Sequence, residues 1–312
     1  MDAAGGNGLG YERPCVHDQH ARRARWRRQP RRAELRGSRL RSQSPRVQRA
    51  RHGADRAAHR HAPRETPLRT GNLRDPNGPQ VTFASESFID ELAAAAKADP
   101  VAFRLKLLTA SADDDGGFRR ARSIAVIKAA AEKYGWDARP SPRSRRAGNI
   151  LAGRGIAYAF RNQTVVAEIA EVEVNRATGR VWVKRLVCAH DCGLVVNPEA
   201  LRHTIECGML HSLSRALHEE VRFDGEKVTS VDWVSHPTLT HADTPETIDV
   251  VLVNGDPNAS RPDLPHYGAG ETMCKPTIAA VANAIYDATG VRIRRVPFRS
   301  DRVLAAIKAR SA

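Results

Sequence analysis

The sequence changes character abruptly near Glu65, and that break decides how much of the chain can build a core. Residues 1–64 hold 17 Arg, no Lys and five acidic side chains (Asp2, Glu12, Asp18, Glu34, Asp55), a net charge of +12. The remaining 248 residues hold 33 basic and 30 acidic side chains, a net of +3. The first stretch contains no Ile or Phe, and its branched aliphatics are Leu9, Val16, Leu35, Leu40 and Val47 alone. So little apolar surface cannot offset ordering entropy, which predicts a disordered Arg-rich segment. Three readings of it stand. A basic arm would neutralise nucleic-acid phosphates through Arg22-Arg23, Arg27-Arg28 and Arg31-Arg32. An organelle transit peptide is also Arg-rich and acid-poor, although no amphipathic apolar stripe runs through this one. Out-of-frame translation of GC-rich DNA also yields many Arg and no Lys.

The nearly neutral remainder, residues 65–312, is long enough for a sizeable core. No apolar run approaches the roughly 18 residues of a membrane span, so no membrane partner is expected. The N-terminus lacks a basic flank followed by an apolar run. Five cysteines (Cys15, Cys188, Cys192, Cys207, Cys274) are an odd count, unlike a disulfide framework. A reducing, cytoplasmic setting is the expectation.

Hydrophobic periodicity divides this remainder into a helical region 85–135, a basic linker 140–153 and an α+β region 154–312. Ser85 or Ser87 would cap a helix over 88–97, with Phe88, Ile89, Leu92 and Ala96 on one face. Asp99-Pro100 starts a second helix and a third runs over 118–134, ended by Gly135. After Gly153 the period drops to two, predicting strands over 155–160, 165–174, 181–188, 248–253 and 291–298. Helices are expected over 198–217, with Ile205, Met209 and Leu213 inward, over 275–288, and over 301–308. Mixed and antiparallel strands with segregated helices make the fold class α+β.

Two stretches can carry chemistry. In His266-Tyr267-Gly268-Ala269-Gly270-Glu271, two glycines let backbone approach a ligand, and a carboxylate follows where the loop meets a helix start. The same pattern also serves as a tight turn before a helix. The second stretch is His190-Asp191-Cys192-Gly193 with Asn197-Pro198. Cys188, His190 and Cys192 invite a zinc reading, but no second Cys/His pair completes a tetrahedral site, so no protein-ligated metal is expected. His203, His211 and His218 suit surface or packing roles. The acidic loop 113–117 lacks the spaced ligands of a calcium site. Walker, dinucleotide and serine-elbow patterns are missing.

Taken in order, the motifs form a set. They are Leu68-Arg69-Thr70-Gly71-Asn72-Leu73-Arg74, Glu86-Ser87-Phe88-Ile89-Asp90-Glu91-Leu92-Ala93, Asp99-Pro100 with Phe103-Arg104, and Glu171-Val172-Glu173-Val174. Asp191-Cys192-Gly193 with Asn197-Pro198, Gly268-Ala269-Gly270-Glu271, Asn283-Ala284-Ile285 and Arg292-Ile293-Arg294 complete it. From about residue 65 onward the chain resembles the C-terminal part of the molybdopterin-binding large subunit of the xanthine dehydrogenase/aldehyde oxidase family.

That resemblance implies the second molybdopterin-binding half of a molybdenum hydroxylase. It implies Glu271 as general base in hydroxylating an aldehyde or N-heterocycle carbon with water-derived oxygen. Gly268, Ala269, Gly270, Thr204, Asn197 and Gly193 would bind a molybdopterin-type molybdenum cofactor, as the plain pterin or its cytosine dinucleotide. The dithiolene, rather than protein side chains, would hold the metal. Electrons would leave through iron–sulfur clusters on a partner subunit, with an FAD subunit as a further partner. The family's Gln-x-Glu-Gly is here Thr204-Ile205-Glu206-Cys207, a shorter side chain in place of the Gln amide. The family cofactor lies between two halves, so this chain supplies one wall and is expected to be inactive without the missing N-terminal half. The alternative is a basic nucleic-acid-binding protein that uses the Arg-rich arm and keeps the domain as scaffold.

Overall fold

A computed structural model describes residues 71–110, 120–143, 148–254 and 265–311. The segment 1–64, the motif residues 68–70 and the acidic loop 113–117 lie outside the described residues. Helices α1 (Gly78–Ala95), α2 (Pro100–Thr109) and α3 (Arg120–Tyr134) precede strands β1 (Ile150–Arg161), β2 (Thr164–Asn175) and β3 (Val181–Asp191). Then come α4 (Pro198–Leu217), β4 (Thr247–Leu252), α5 (Thr277–Thr289) and α6 (Ser300–Ser311). The sheet order is β1-β2-β3-β4, antiparallel except for the parallel β3–β4 pair.

Asn162 and Gln163 both take positive φ (46° and 72°) between the paired Arg161 and Thr164, the two-residue turn that matches strand twist. Alternation then sends Val166, Ala170 and Cys188 to the face carrying α4 and α5, and Val165, Ala167, Ile169 and Val187 to the face carrying α2 and α3. The mixed sheet with helices on both faces agrees with the expected α+β class. Asn197 caps α4 by accepting the Ala200 amide at 3.0 Å, and Ile205, Met209 and Leu213 are buried.

Three expectations are corrected. The first helix starts at Gly78, ten residues before the expected start and not at a serine cap, and it is turned the other way. Phe88 and Leu92 face solvent, while Glu86 and Asp90 are buried. Those acids meet Arg104 at 2.9 and 3.6 Å, and Arg292 also pairs with Asp90. Glu86 accepts the Tyr158 amide at 3.0 Å, and Arg292 reaches Asn283, which donates to Ile156 O. This shared network ties α1 to α2, β1 and α5, and a buried charge is tolerated because each is paired. Residues 291–298 form no strand, because Arg292 and Arg294 are drawn to Asp90 and Glu91 of α1. The start of the expected linker is pinned: Asp287 accepts both Arg139 Nη atoms at 2.7 and 2.6 Å and Ser141 Oγ at 2.9 Å.

Candidate functional site

Two loops meet at the end of the sheet. Gly193 pairs with His266 in an isolated bridge, Leu194 donates to Pro265 O at 3.0 Å, and Tyr267 donates to Cys192 O at 2.9 Å. Gly193 has φ +75°, and a Cβ there would stand 1.9 Å from Pro265 O, so any side chain would push the loops apart. Asp191 fixes the first loop by accepting Arg122 Nη2 (2.6 Å), the Gly193 amide (2.9 Å) and Asn254 Nδ2 (2.9 Å). Burial would raise its carboxyl, but Arg122 and these amides hold it below the usual carboxylate range.

The second loop carries the expected glycines. Thr164 Oγ1 donates to Gly268 O at 2.8 Å and Arg74 Nε donates to Gly270 O at 2.7 Å. Beyond Glu271 the short turn Thr272–Cys274 is held by Ser212 Oγ on Cys274 O at 3.0 Å and by Thr277 Oγ1 on Met273 O at 3.0 Å. Glu271 therefore sits on fixed backbone. Its Oε2 meets Arg161 Nη2 at 2.9 Å, and its Oε1 accepts the Asp75 amide at 3.3 Å. Its side chain is 38% exposed, at the lip of the glycine loop.

Arg161, Asp75 and Arg74 are the site residues that the sequence reading did not single out. Arg161 also pairs with buried Asp75, whose carboxyl is raised by burial against the pull of Lys275 and Arg161. Arg74 spans the two walls: besides Gly270 O it reaches Thr204 O (3.3 Å), His211 Nδ1 (3.5 Å) and Cys207 Sγ (3.6 Å). Arg74 stood in a quoted motif. Arg161 and Asp75 carried no local signal.

Gly268, Ala269, Gly270 and Glu271 share one loop, Gly193 braces it, and Thr204 is joined to it through Arg74. Asn197 stands apart as the α4 cap. Cys188 and His190 are buried and no three His, Cys, Asp or Glu side chains gather into a metal site among the described residues.

The backbone of this loop is uncrowded on the side of its two glycines. A Cβ built at Gly268 or Gly270 would meet nothing within 4 Å, so the backbone there is open to approach. Among the described residues no backbone acceptor pairs with the amides of Gly268, Ala269, Gly270 or Glu271, which leaves them as spare donors. The fit is poorer on α4, where Thr204 Oγ1 is spent on Ala200 O at 2.8 Å.

The molybdopterin cofactor-binding domain family matches residues 76–245, more than half of the chain. The chain belongs to that family. The match takes in α1 through α4 with Gly193, Asn197 and Thr204, and Glu271 lies beyond it. This molybdopterin cofactor-binding domain is 40% identical over 252 residues to a nicotinate dehydrogenase subunit of Pseudomonas putida, covering 78% of this chain and 20% of that protein. It is 32% identical over 220 residues to the isoquinoline 1-oxidoreductase beta subunit of Brevundimonas diminuta, covering 70% and 25%. The solved aldehyde oxidoreductase of Desulfovibrio gigas shares the fold, with TM-score 0.61, 18% identity, and 76% of this chain against 42% of that one. The chain thus spans about a fifth to a quarter of these curated relatives. Among the described residues no helix is long and apolar enough to cross a membrane.

Proposed function

We propose that the chain is the Glu271-bearing part of a molybdenum hydroxylase, an oxidoreductase of the xanthine dehydrogenase/aldehyde oxidase type. The carrying observation is the carboxylate of Glu271, held by Arg161 at 2.9 Å at the lip of an open glycine loop in a molybdopterin cofactor-binding domain. When bound, a molybdopterin-type cofactor supplies the two-electron acceptor and the activated water-derived oxygen. The chain's own residues do the rest. The amides of Gly268, Ala269 and Gly270 donate to the ligand, while Arg74 and Thr164 fix the loop carbonyls. Gly193 shapes the neighbouring wall, Thr204 borders it, and Asn197 caps the helix that carries Thr204. Arg161 and the Asp75 amide each occupy one Glu271 oxygen, and a carboxylate keeps further lone pairs with which to take a proton.

Relatives named for nicotinate, isoquinoline and aldehyde support an aldehyde or aromatic N-heterocycle as substrate. The nicotinate and isoquinoline relatives are each named as one subunit of an enzyme, which supports assembly with other subunits. An iron–sulfur subunit and an FAD subunit are the proposed ones. A cytosine dinucleotide form of the pterin and inactivity of this chain alone belong to the same reading.

The test is Glu271→Gln in the assembled enzyme. Molybdenum and pterin content should match wild type, while turnover falls by about 10²–10⁴-fold. Unchanged turnover would remove Glu271 from the base role, and a wild-type assembly without molybdenum would remove the cofactor.

A further inference from the structure

Asp75 carries a buried carboxylate with one oxygen unpaired. Its side chain is fully buried, and Oδ2 finds no hydrogen-bond partner among the described residues. Its backbone takes φ +56°, a left-handed conformation that aspartate tolerates better than most residues. A Cβ at Gly78 would stand 1.7 Å from Oδ2, so the carboxylate keeps this seat only because α1 begins with glycine. The other oxygen, Oδ1, pairs with Arg161 Nη1, while Arg161 Nη2 meets Glu271 Oε2 at 2.9 Å. One guanidinium is thus divided between two carboxylates. A guanidinium with both Nη atoms free would grip Glu271 by two parallel hydrogen bonds, the strongest arrangement open to such a pair. Asp75 stands in the way of that grip twice: its carboxylate takes Nη1, and its amide lies 3.3 Å from Glu271 Oε1. Lys275 adds a second positive charge that acts on both Asp75 and Glu271. Without the Asp75 charge, both cations would bear on Glu271 alone, and a carboxylate held by cations accepts a proton less readily.

We propose that Asp75 is a positioning residue for Glu271: it holds Arg161 to a one-point contact, so that the Glu271 carboxylate stays free to take a proton. The use of that proton rests on the reading given under Proposed function, whereas the contact itself stands on the geometry. Asp75 acts through Arg161. Its value to Glu271 is the share of the guanidinium that it keeps away.

The experiment labels the carboxyl groups of the full chain with a water-soluble carbodiimide and an amine at one fixed pH, and reads each site by peptide mass spectrometry. Exposed Glu226 is the internal standard, and buried Glu86 reports any opening of α1. Relative to Glu226, labelling of Glu271 should fall at least about threefold in Asp75→Asn, because a neutral amide competes poorly with Glu271 for Arg161 Nη1. Arg161→Gln should raise it by a similar factor. Asp75→Asn combined with Arg161→Gln should match Arg161→Gln alone, since Asp75 acts through Arg161. Unchanged labelling of Glu271 in Asp75→Asn overturns the proposal. A rise at Glu271 and Glu86 together also overturns it, by making Asp75 a brace for α1. Arg161→Gln without a rise overturns it however Asp75→Asn folds. In the assembled enzyme, with molybdenum content unchanged, Asp75→Asn should lower kcat about tenfold and leave KM within about twofold. A fall in kcat without the labelling change counts against the Arg161 route. The labelling change with unaltered kcat keeps the contact and removes Glu271 from the base role.

Discussion

At the residue scale, Glu168 is a group displaced far from water-like behaviour without belonging to the candidate site. It is fully buried on β2 against the start of α5, and burial pushes its carboxyl up to about 8, against the pull of Thr277 and Cys188. Geometry says the same. Thr277 Oγ1 lies 2.8 Å from Glu168 Oε2 and 3.0 Å from Met273 O, and one hydroxyl has one proton. Both contacts are made when Glu168 is protonated and donates to Thr277. A carboxyl raised on folding stabilises fully below its unfolded value of 4.5, and that stability is lost as pH rises toward about 8. His190 acts in the opposite direction. Burial lowers it from 6.5 to about 4, so its contribution is present above 6.5 and lost as pH falls through 4. The two oppose each other between 4.5 and 6.5, and from 6.5 to 8 Glu168 acts without His190. There wild type should lose about 2 kcal/mol of unfolding free energy. Glu168→Gln cannot ionise, so it should flatten that loss in urea titrations at pH 6.5 and pH 8. An unchanged slope in the variant would mean Glu168 ionises readily in the folded protein.

At the element scale, the contact of α5 with β1 depends on missing side chains. Gly153 and Gly155 lie on β1, and Ala280, Ala284 and Ala288 form a row along α5. A Cβ at Gly155 would stand 2.3 Å from Ala284 N and 2.4 Å from Ala280 O, both backbone atoms that cannot step aside. Gly155→Ala should therefore cost about 3 kcal/mol, the upper end for overpacking, measured by chemical denaturation. Loss below about 0.5 kcal/mol would show that α5 slides freely on the sheet. This contact was half legible in the sequence: the strand and the Ala-rich helix were both readable, and their pairing through glycine was not. Helix α4 was legible to its ends because Asn197-Pro198 caps it and Ile205, Met209 and Leu213 repeat at helical spacing. Helix α1 was misread for a physical reason. Periodicity finds an apolar row but not the side it faces, and Glu86 and Asp90 claim the interior through partners up to 202 residues away. The same limit hid half the site. Glu271 advertised itself through flanking glycines, whereas Asp75 reaches it across 196 residues. Arg161, at the end of β1, looked like any strand-terminal cation.

At the scale of the whole molecule, most of the net charge resides in one part of the chain. Of the net +15, +12 belongs to residues 1–64 and +3 to the rest. Among the described residues, the buried members of the two apolar clusters, one on each face of the sheet, begin at Val101 and Leu151. The ion pairs that orient α1 likewise join residues 86–104 to 292. Composition gives residues 1–64 little apolar surface to contribute to such clusters. Removing them should leave the melting temperature within about 4 °C of the full chain, the shift expected for no more than about 1 kcal/mol in a protein of this size. The same truncation removes 17 of the 50 basic residues, so any nucleic-acid binding that weakens with salt should go with it. Differential scanning calorimetry and a fluorescence titration on the two proteins check both halves of this expectation. A much larger fall in melting temperature would mean that the Arg-rich segment packs on the domain. Salt-sensitive binding that survives truncation would move the anion-binding surface onto the folded part, where the arginines around Glu220 (Arg295, Arg299, Arg302) would be the first to replace.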